Sequence, residues 1–291
     1  MTNPTPTRTP PTRTTPRPTP TGSPAASSTA KKFTKSSGAR QQGQRIIVHG
    51  PPGVGKTTLV SLIDNVCFID KNSDGTAGLD VSRVGGIETF DDAITALGTA
   101  ELWTGIENIV LDSGSVFQRM AIERVVGKSK DGEAEKSIET VKGGFGKGYR
   151  FVYDAMHMLQ QACDRHIEQG RNVILICHTT EGKVPNPAGE DFLQSRIDLI
   201  DNKQGPIRGR IEGWADHIFF IARDVAVSGG KGQSKGTRAI QTQWSPWWTA
   251  KSRSFVAGGE QRSLSSEVMY PDPKKDPEGA AEIWRLMGFN K

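Results

Sequence analysis

The sequence predicts an α/β protein with a mostly parallel sheet flanked by helices, and three features carry that prediction. Its strand-like segments are continuous apolar runs, the pattern of strands buried on both faces. Helical stretches separate these runs, as the crossovers between parallel strands require. The first run ends on a glycine-rich loop that passes directly into a helical pattern, at Gly50 to Thr57.

Residues 45–49 form the first expected strand, with Ile46, Ile47 and Val48 in a row, and a helix is expected over 57–63. Val66, Cys67, Phe68 and Ile69 lead into Asp70 as a second strand, followed by a polar loop over 71–78. Between 90 and 102, Phe90, Ile94 and Leu97 share one face at helical spacing. A third strand at 109–112 ends on Asp112, and 149–169 reads as a long amphipathic helix stopped by Gly170. Further strands are expected at 173–178, ending on His178, at 218–222 and at 238–243. Two polar stretches, 128–148 and 181–210, have little strand or helix character, and loops of that length inside a domain are usually functional or mobile. A short helix is expected over 277–287, and no internal repeat is visible.

Charge separates tail from body. The net charge is +5, yet residues 1–44 hold seven basic side chains (Arg8, Arg13, Arg17, Lys31, Lys32, Lys35, Arg40) and no acid. Subtracting those seven leaves −2 for 45–291, so overall basicity does not argue for a basic groove in the folded part. Eight of the seventeen prolines precede residue 25, and with so little apolar surface this segment is expected to be disordered. The expected organisation is therefore a basic Thr/Pro-rich tail over 1–44, a catalytic core over 45–257, and a C-terminal tail with a short helix over 258–291. Cys67, Cys163 and Cys177 form no CxxC pair, which suits a reducing cytoplasm and no structural zinc. No run approaches the roughly 18 apolar residues of a membrane span.

Gly50-Pro51-Pro52-Gly53-Val54-Gly55-Lys56-Thr57 fits the phosphate-binding P-loop pattern without a mismatch, and Thr58 follows it. Glycines let backbone N–H groups curl round the β- and γ-phosphates, the lysine supplies a point charge, and the threonine hydroxyl ligates Mg²⁺. ATP and Mg²⁺ are the implied cofactors. Asp112, at a strand end, is the candidate second metal ligand. Asp70 and Asp74 are candidates for orienting or deprotonating the attacking water, and His178 for sensing the γ-phosphate. Trp244, Trp247 and Trp248 suit either stacking on bases or burial.

Several ordered segments carry a resemblance: GPPGVGKTT at 50–58, CFID at 67–70, IVLDS at 109–113, GGFGKGY at 143–149, ILICHTTEG at 174–182, NPAGED at 186–191, EGWADHIFF at 212–220 and AKSRSF at 250–255. In them the chain resembles the phage-encoded RecA-like P-loop ATPases, a group that includes single-strand-annealing recombination proteins. The resemblance implies a RecA-like fold, ATP hydrolysis, action on single-stranded DNA in recombination or replication, and assembly into a ring or filament in the host cytoplasm. It places Lys251 and Arg253 where such proteins reach across a subunit interface to a neighbour's γ-phosphate. It also makes 181–210 a DNA-contacting loop through Lys183, Arg196, Lys203, Arg208 and Arg210. One departure is Asn72, which stands where these enzymes carry a catalytic glutamate. A small-molecule P-loop kinase and a nucleotide-gated DNA-binding scaffold with little turnover are the alternatives.

Overall fold

The computed structural model describes residues 35, 42–71, 75–127, 137–228 and 231–290, with the backbone alone at 225–228 and 231–235. Contacts divide the chain into Met1–Gly38 and Ala39–Lys291. Of the first unit only Lys35 is described, so the tail expected to be disordered lies outside the described residues apart from that position and 42–44.

The second unit runs β1 (Arg45–His49), α1 (Lys56–Val60), β2 (Val66–Asp70), β3 (Ser82–Val84), α2 (Phe90–Gly98), β4 (Asn108–Asp112), α3 (Gly114–Val126), α4 (Lys147–Glu168) and β5 (Asn172–Cys177). It continues with β6 (Thr179–Val184), β7 (Phe192–Ile197), α5 (Ile207–Trp214), β8 (His217–Ser228), β9 (Lys231–Gln241), β10 (Lys251–Ser252), β11 (Phe255–Ala257), β12 (Glu260–Arg262), β13 (Glu267–Tyr270), α6 (Pro277–Ala280) and α7 (Glu282–Met287).

One sheet holds the order β13, β9, β8, β1, β5, β4, β2, β3, with β10 paired to β8. From β8 to β3 every pairing is parallel, and β9, β10 and β13 add antiparallel edges. This mostly parallel, helix-flanked sheet is the architecture that the resemblance to RecA-like ATPases implies.

Alternation along the strands divides the core in two. Ile47, Ile109, Leu111, Val173 and Leu175 point to the side covered by α2, α3, α4 and α5. Ile46, Val48, Phe68, Val110, Ile174, Ile176 and Phe219 point to the other, where they meet Leu59 and Val60 of α1 together with Ile283, Trp284 and Met287 of α7. Strands buried on both faces need cover on both, which explains their unbroken apolar composition.

Local signals set the helix limits. Thr89 and Asp92 form a reciprocal capping box at the start of α2. Ser113 accepts from the Val116 amide at the start of α3, a helix for which the sequence reading had no expectation. Helix α1 stops at Val60 rather than 63, because Leu62 and Ile63 bond three residues back in tight turns.

Two expectations are corrected. The stretch 181–210 contains most of the hairpin β6–β7 and the start of α5. Its residues are polar because the hairpin forms a separate two-stranded sheet, most of whose side chains keep contact with solvent. The segment 258–291, expected as a tail, packs onto the domain from 267 to 290: β13 pairs with β9, and the buried Trp284 indole donates to Leu59 O of α1 at 2.8 Å. Asn290 donates to Leu62 O at 2.7 Å and accepts from the Asp64 amide at 3.0 Å. The P-loop helix has only five residues, so these partners support what its own hydrogen bonds cannot. Trp284→Ala should lower unfolding free energy by about 3–5 kcal/mol in denaturant titration; a loss below about 1 kcal/mol would show that α7 does not hold this face.

Candidate active site

The parallel register delivers the chemistry to one edge. His49 lies opposite Cys177 across β1 and β5, so Gly50 and His178 leave the sheet side by side. Asp112 is opposite Ile176 on β5 and opposite Asp70 on β2. Because β5 separates β1 from β4, His178 emerges between the glycine loop and the two carboxylates.

The loop is shaped by glycine where glycine is needed. A Cβ on Gly50 would stand 2.4 Å from Ile221 O, so no other residue could turn so close to β8. Gly55 has φ 97°, in the left-handed region that favours glycine. Lys56 is buried, and its Nζ donates to Gly50 O at 2.8 Å and Pro51 O at 3.1 Å. Burial pulls the ammonium pKa down from the ordinary lysine value, and the nearby Asp112 opposes that pull. Pro51, Pro52 and Gly53 are exposed at the rim, Val54 is buried beneath it, and Thr58 is part-buried on α1.

Thr57 Oγ1 donates to Asp112 Oδ2 at 2.7 Å. Burial raises the Asp112 pKa, the Thr57 hydrogen bond lowers it, and the charge of Asp70 raises it further. Asp70 is 2% exposed; its Oδ2 accepts from Thr76 Oγ1 at 2.6 Å, while its buried Oδ1 has no partner among the described residues. A Cβ on Gly75 would come within 2.9 Å of Asp112 Oδ2, so the loop after β2 lies directly against that carboxylate. His178 is exposed, its amide donates to Ser115 Oγ at 3.3 Å, and a positive charge on its ring favours ionised Asp112. Asp74 and Asn72 lie outside the described residues.

The residues fit the cofactors inferred from sequence. Among the described residues no cluster of three or more His, Cys, Asp or Glu is placed to hold a metal ion. Thr57 and Asp112 instead offer adjacent hard oxygen donors, and Mg²⁺ is commonly held by one or two carboxylates together with substrate phosphates.

Lys251 and Arg253 are not brought to this edge. Lys251 pairs with Ile218, level with Ile47 in the middle of β1, and the chain then runs antiparallel to β8, away from Gly50, so that Arg253 lies beyond the start of β8. There Lys251 donates to Glu212 O at 2.6 Å, and the exposed Arg253 pairs with Asp216 at 3.1 Å. In the 181–210 stretch three arginines already have partners within the chain: Arg196 with Lys183 O, Arg208 with Asp201, and Arg210 with Gln160 and Tyr153. Lys183 and Lys203 are exposed. Trp248 is stacked on Phe220 at 5.7 Å, whereas Trp244 and Trp247 are 59% and 63% exposed.

Three residues near the loop escaped the sequence reading. Arg223 and Arg238, opposite each other on β8 and β9, donate to the carbonyls of Gly53 at 3.1 Å and Val54 at 2.7 Å. His49, fully buried, bonds Thr179 Oγ1 at 3.0 Å through Nδ1 and Thr249 O at 2.7 Å through Nε2. A histidine closing an apolar strand just before the glycine loop was a visible signal, but its partners lie 130 and 200 residues away.

The fold and this edge define a P-loop nucleotide-binding α/β protein. The profile of a family described as AAA domain matches residues 42–254, and the chain belongs to that family of P-loop ATPases. No curated protein matches it by sequence. Among solved structures it is similar to the KaiC-like protein of the hyperthermophilic archaeon Pyrococcus horikoshii OT3, at 12% identity and a TM-score of 0.39, over 79% of this chain and 91% of that one.

Burial lowers the His49 pKa from 6.5 to about 4, against the raising effect of its bond to Thr249, and burial does the same to His217. Above pH 6.5 both rings are neutral folded or unfolded. As pH falls through 6.5 toward 4 the unfolded chain takes up protons that the folded chain refuses, so stability falls by roughly 3 kcal/mol per histidine. Urea melts between pH 7 and 4 should show this loss, and His49→Gln should reduce it; a loss unchanged in that variant would assign it to other groups.

Proposed function

We propose that this protein hydrolyses ATP and couples turnover to the handling of single-stranded DNA in phage recombination or replication, as a ring or filament of identical subunits. The observation that carries the ATPase reading is the Thr57–Asp112 hydrogen bond beside Lys56. Lys56 and the loop N–H groups would hold the β- and γ-phosphates, and Thr57 and Asp112 would hold Mg²⁺, which polarises the phosphate oxygens when bound. The Oδ1 of Asp70, unpaired among the described residues, is suited to orient a water and accept its proton as the water oxygen bonds to the γ-phosphorus and the β–γ bridging bond breaks.

Oligomerisation is supported by Lys251 and Arg253, whose side chains turn to Glu212 and Asp216 rather than to the subunit's own P-loop. Across an interface, Arg253 would stabilise charge on a neighbour's transferring phosphate. Single-stranded DNA is supported by Trp244 and Trp247, whose exposed rings suit stacking on unpaired bases. Their segment is tied to β7 by Ser195, whose amide donates to Trp247 O at 2.8 Å and whose carbonyl accepts from the Thr249 amide at 2.9 Å. Thr249 O is in turn held by His49, next to the P-loop.

ATP turnover should rise with single-stranded DNA, vanish in Lys56→Ala, fall at least about 100-fold in Asp70→Asn with ATP binding retained, and lose its DNA stimulation in Trp247→Ala. Turnover indifferent to DNA would point to a kinase, and nucleotide binding without turnover to a gated scaffold. For the interface, Lys56→Ala and Arg253→Ala are each expected to be inactive alone and to recover part of the activity when mixed, since only a mixed oligomer joins an intact P-loop to an intact arginine; no recovery would place Arg253 outside the neighbour's site.

A further inference from the structure

The phosphate-binding loop can present its N–H groups inward only if its carbonyls find partners outside, and the structure shows which groups supply them. Lys56 takes the carbonyls of Gly50 and Pro51. Arg223 takes that of Gly53 and Arg238 that of Val54. The last of these is the most constrained. Val54 is 1% exposed and Arg238 8% exposed, so their 2.7 Å bond is shielded from water. A Cβ on Gly55 would touch Arg238 Nε at 3.6 Å, so the guanidinium lies directly against the loop.

Arg238 is itself held from a second direction. Its Nη1 pairs with Asp272 Oδ1 at 3.1 Å, and Asp272 follows β13, whose Tyr270 is opposite Arg238 on β9. The two bonds use different edges of one planar group: Nε–H faces the loop and Nη1 faces the carboxylate. A lysine, with one nitrogen, cannot span both in that geometry. Asp272 lies beyond 254, where the match to the AAA family ends.

We propose that Arg238 is a positioning residue for the phosphate-binding loop, and that Asp272, in the C-terminal segment, sets its orientation and thereby the protein's affinity for nucleotide. Arg238 contacts the outer side of the loop, so it acts through the backbone. It favours the loop conformation that accepts phosphates before any phosphate arrives, and this strengthens ATP and ADP binding together. The inference rests on nucleotide binding at the P-loop and needs neither hydrolysis nor DNA.

The test is equilibrium binding of fluorescently labelled ADP and ATP to the full chain, with thermal unfolding measured in parallel. Arg238→Met should weaken both nucleotides by about 10- to 100-fold, the range expected when a charge-assisted hydrogen bond is lost. Arg238→Lys should recover part of that affinity. Asp272→Asn, which keeps the Arg238 side chain but loosens its hold on the Val54 carbonyl, and which serves as the second variant should Arg238→Met fail to fold, should weaken binding several-fold. Combining Asp272→Asn with Arg238→Lys should cost less than the two losses added, since both act on one tether. Wild-type affinity in Arg238→Met or in Asp272→Asn, with Lys56→Ala deficient in the same assay, would overturn the proposal alone. A wild-type chain that binds neither nucleotide would overturn the P-loop reading as well.

Discussion

The hydrogen bond from Thr57 to Asp112 depends on strands that are not neighbours. β1 carries the loop, β4 carries the carboxylate, and β5 lies between them. The bond forms because these strands run in the same direction and end within one residue of each other, Asp112 opposite Ile176 and His49 opposite Cys177, so that residues at and just beyond the strand ends stand together. A slip of one residue along either ladder would turn every side chain of that strand to the other face, exchanging the two halves of the core and pointing Asp112 away from the loop. The apolar alternation that divides Ile46 and Val48 from Ile47 therefore secures the core and the site together.

Electrostatics at this edge follow from burial. Lys56 and Asp70 are buried and Asp112 is half-buried at one edge of the sheet, and burial disfavours the charged forms of both Lys56 and Asp112. Each is partly compensated, Lys56 by two carbonyls and Asp112 by a hydroxyl. Asp70 keeps one oxygen without a partner among the described residues, whose other buried polar groups are largely bonded. An unsatisfied buried acceptor is costly in a fold selected for stability alone. It is economical where a water or a cation takes part in the chemistry.

Around this centre the protein adds supports that a minimal α/β core lacks. His49 joins the segment after β5 and the segment bearing Trp247 to the residue before the loop. Trp284 and Asn290 hold the end of the short P-loop helix, and Asp272 reaches the loop through Arg238. The C-terminal segment is thus structurally part of the nucleotide site, although it contributes no residue of the P-loop pattern.

The sequence alone determined the strand-loop-helix unit at 45–60, the carboxylates at the ends of β2 and β4, the position of His178, and the burial of the core strands. All of these are encoded locally: apolar runs report burial, and glycines report the loop whose backbone must bend. Tertiary structure alone decided the rest. Sequence placed Asp70 and Asp112 at strand ends but not side by side; register did that. It placed Lys251 and Arg253 after a late strand, and only the antiparallel pairing of β10 with β8 directs that segment away from the P-loop. It marked Trp244, Trp247 and Trp248 as a group, and packing on Phe220 separates the third from the two exposed ones. Arg238 looks like any other strand arginine until β9 lies beside β8 and the guanidinium meets a carbonyl 184 residues earlier. Such contacts are invisible in sequence because their energy belongs to pairs of residues that the chain brings together only when it is folded.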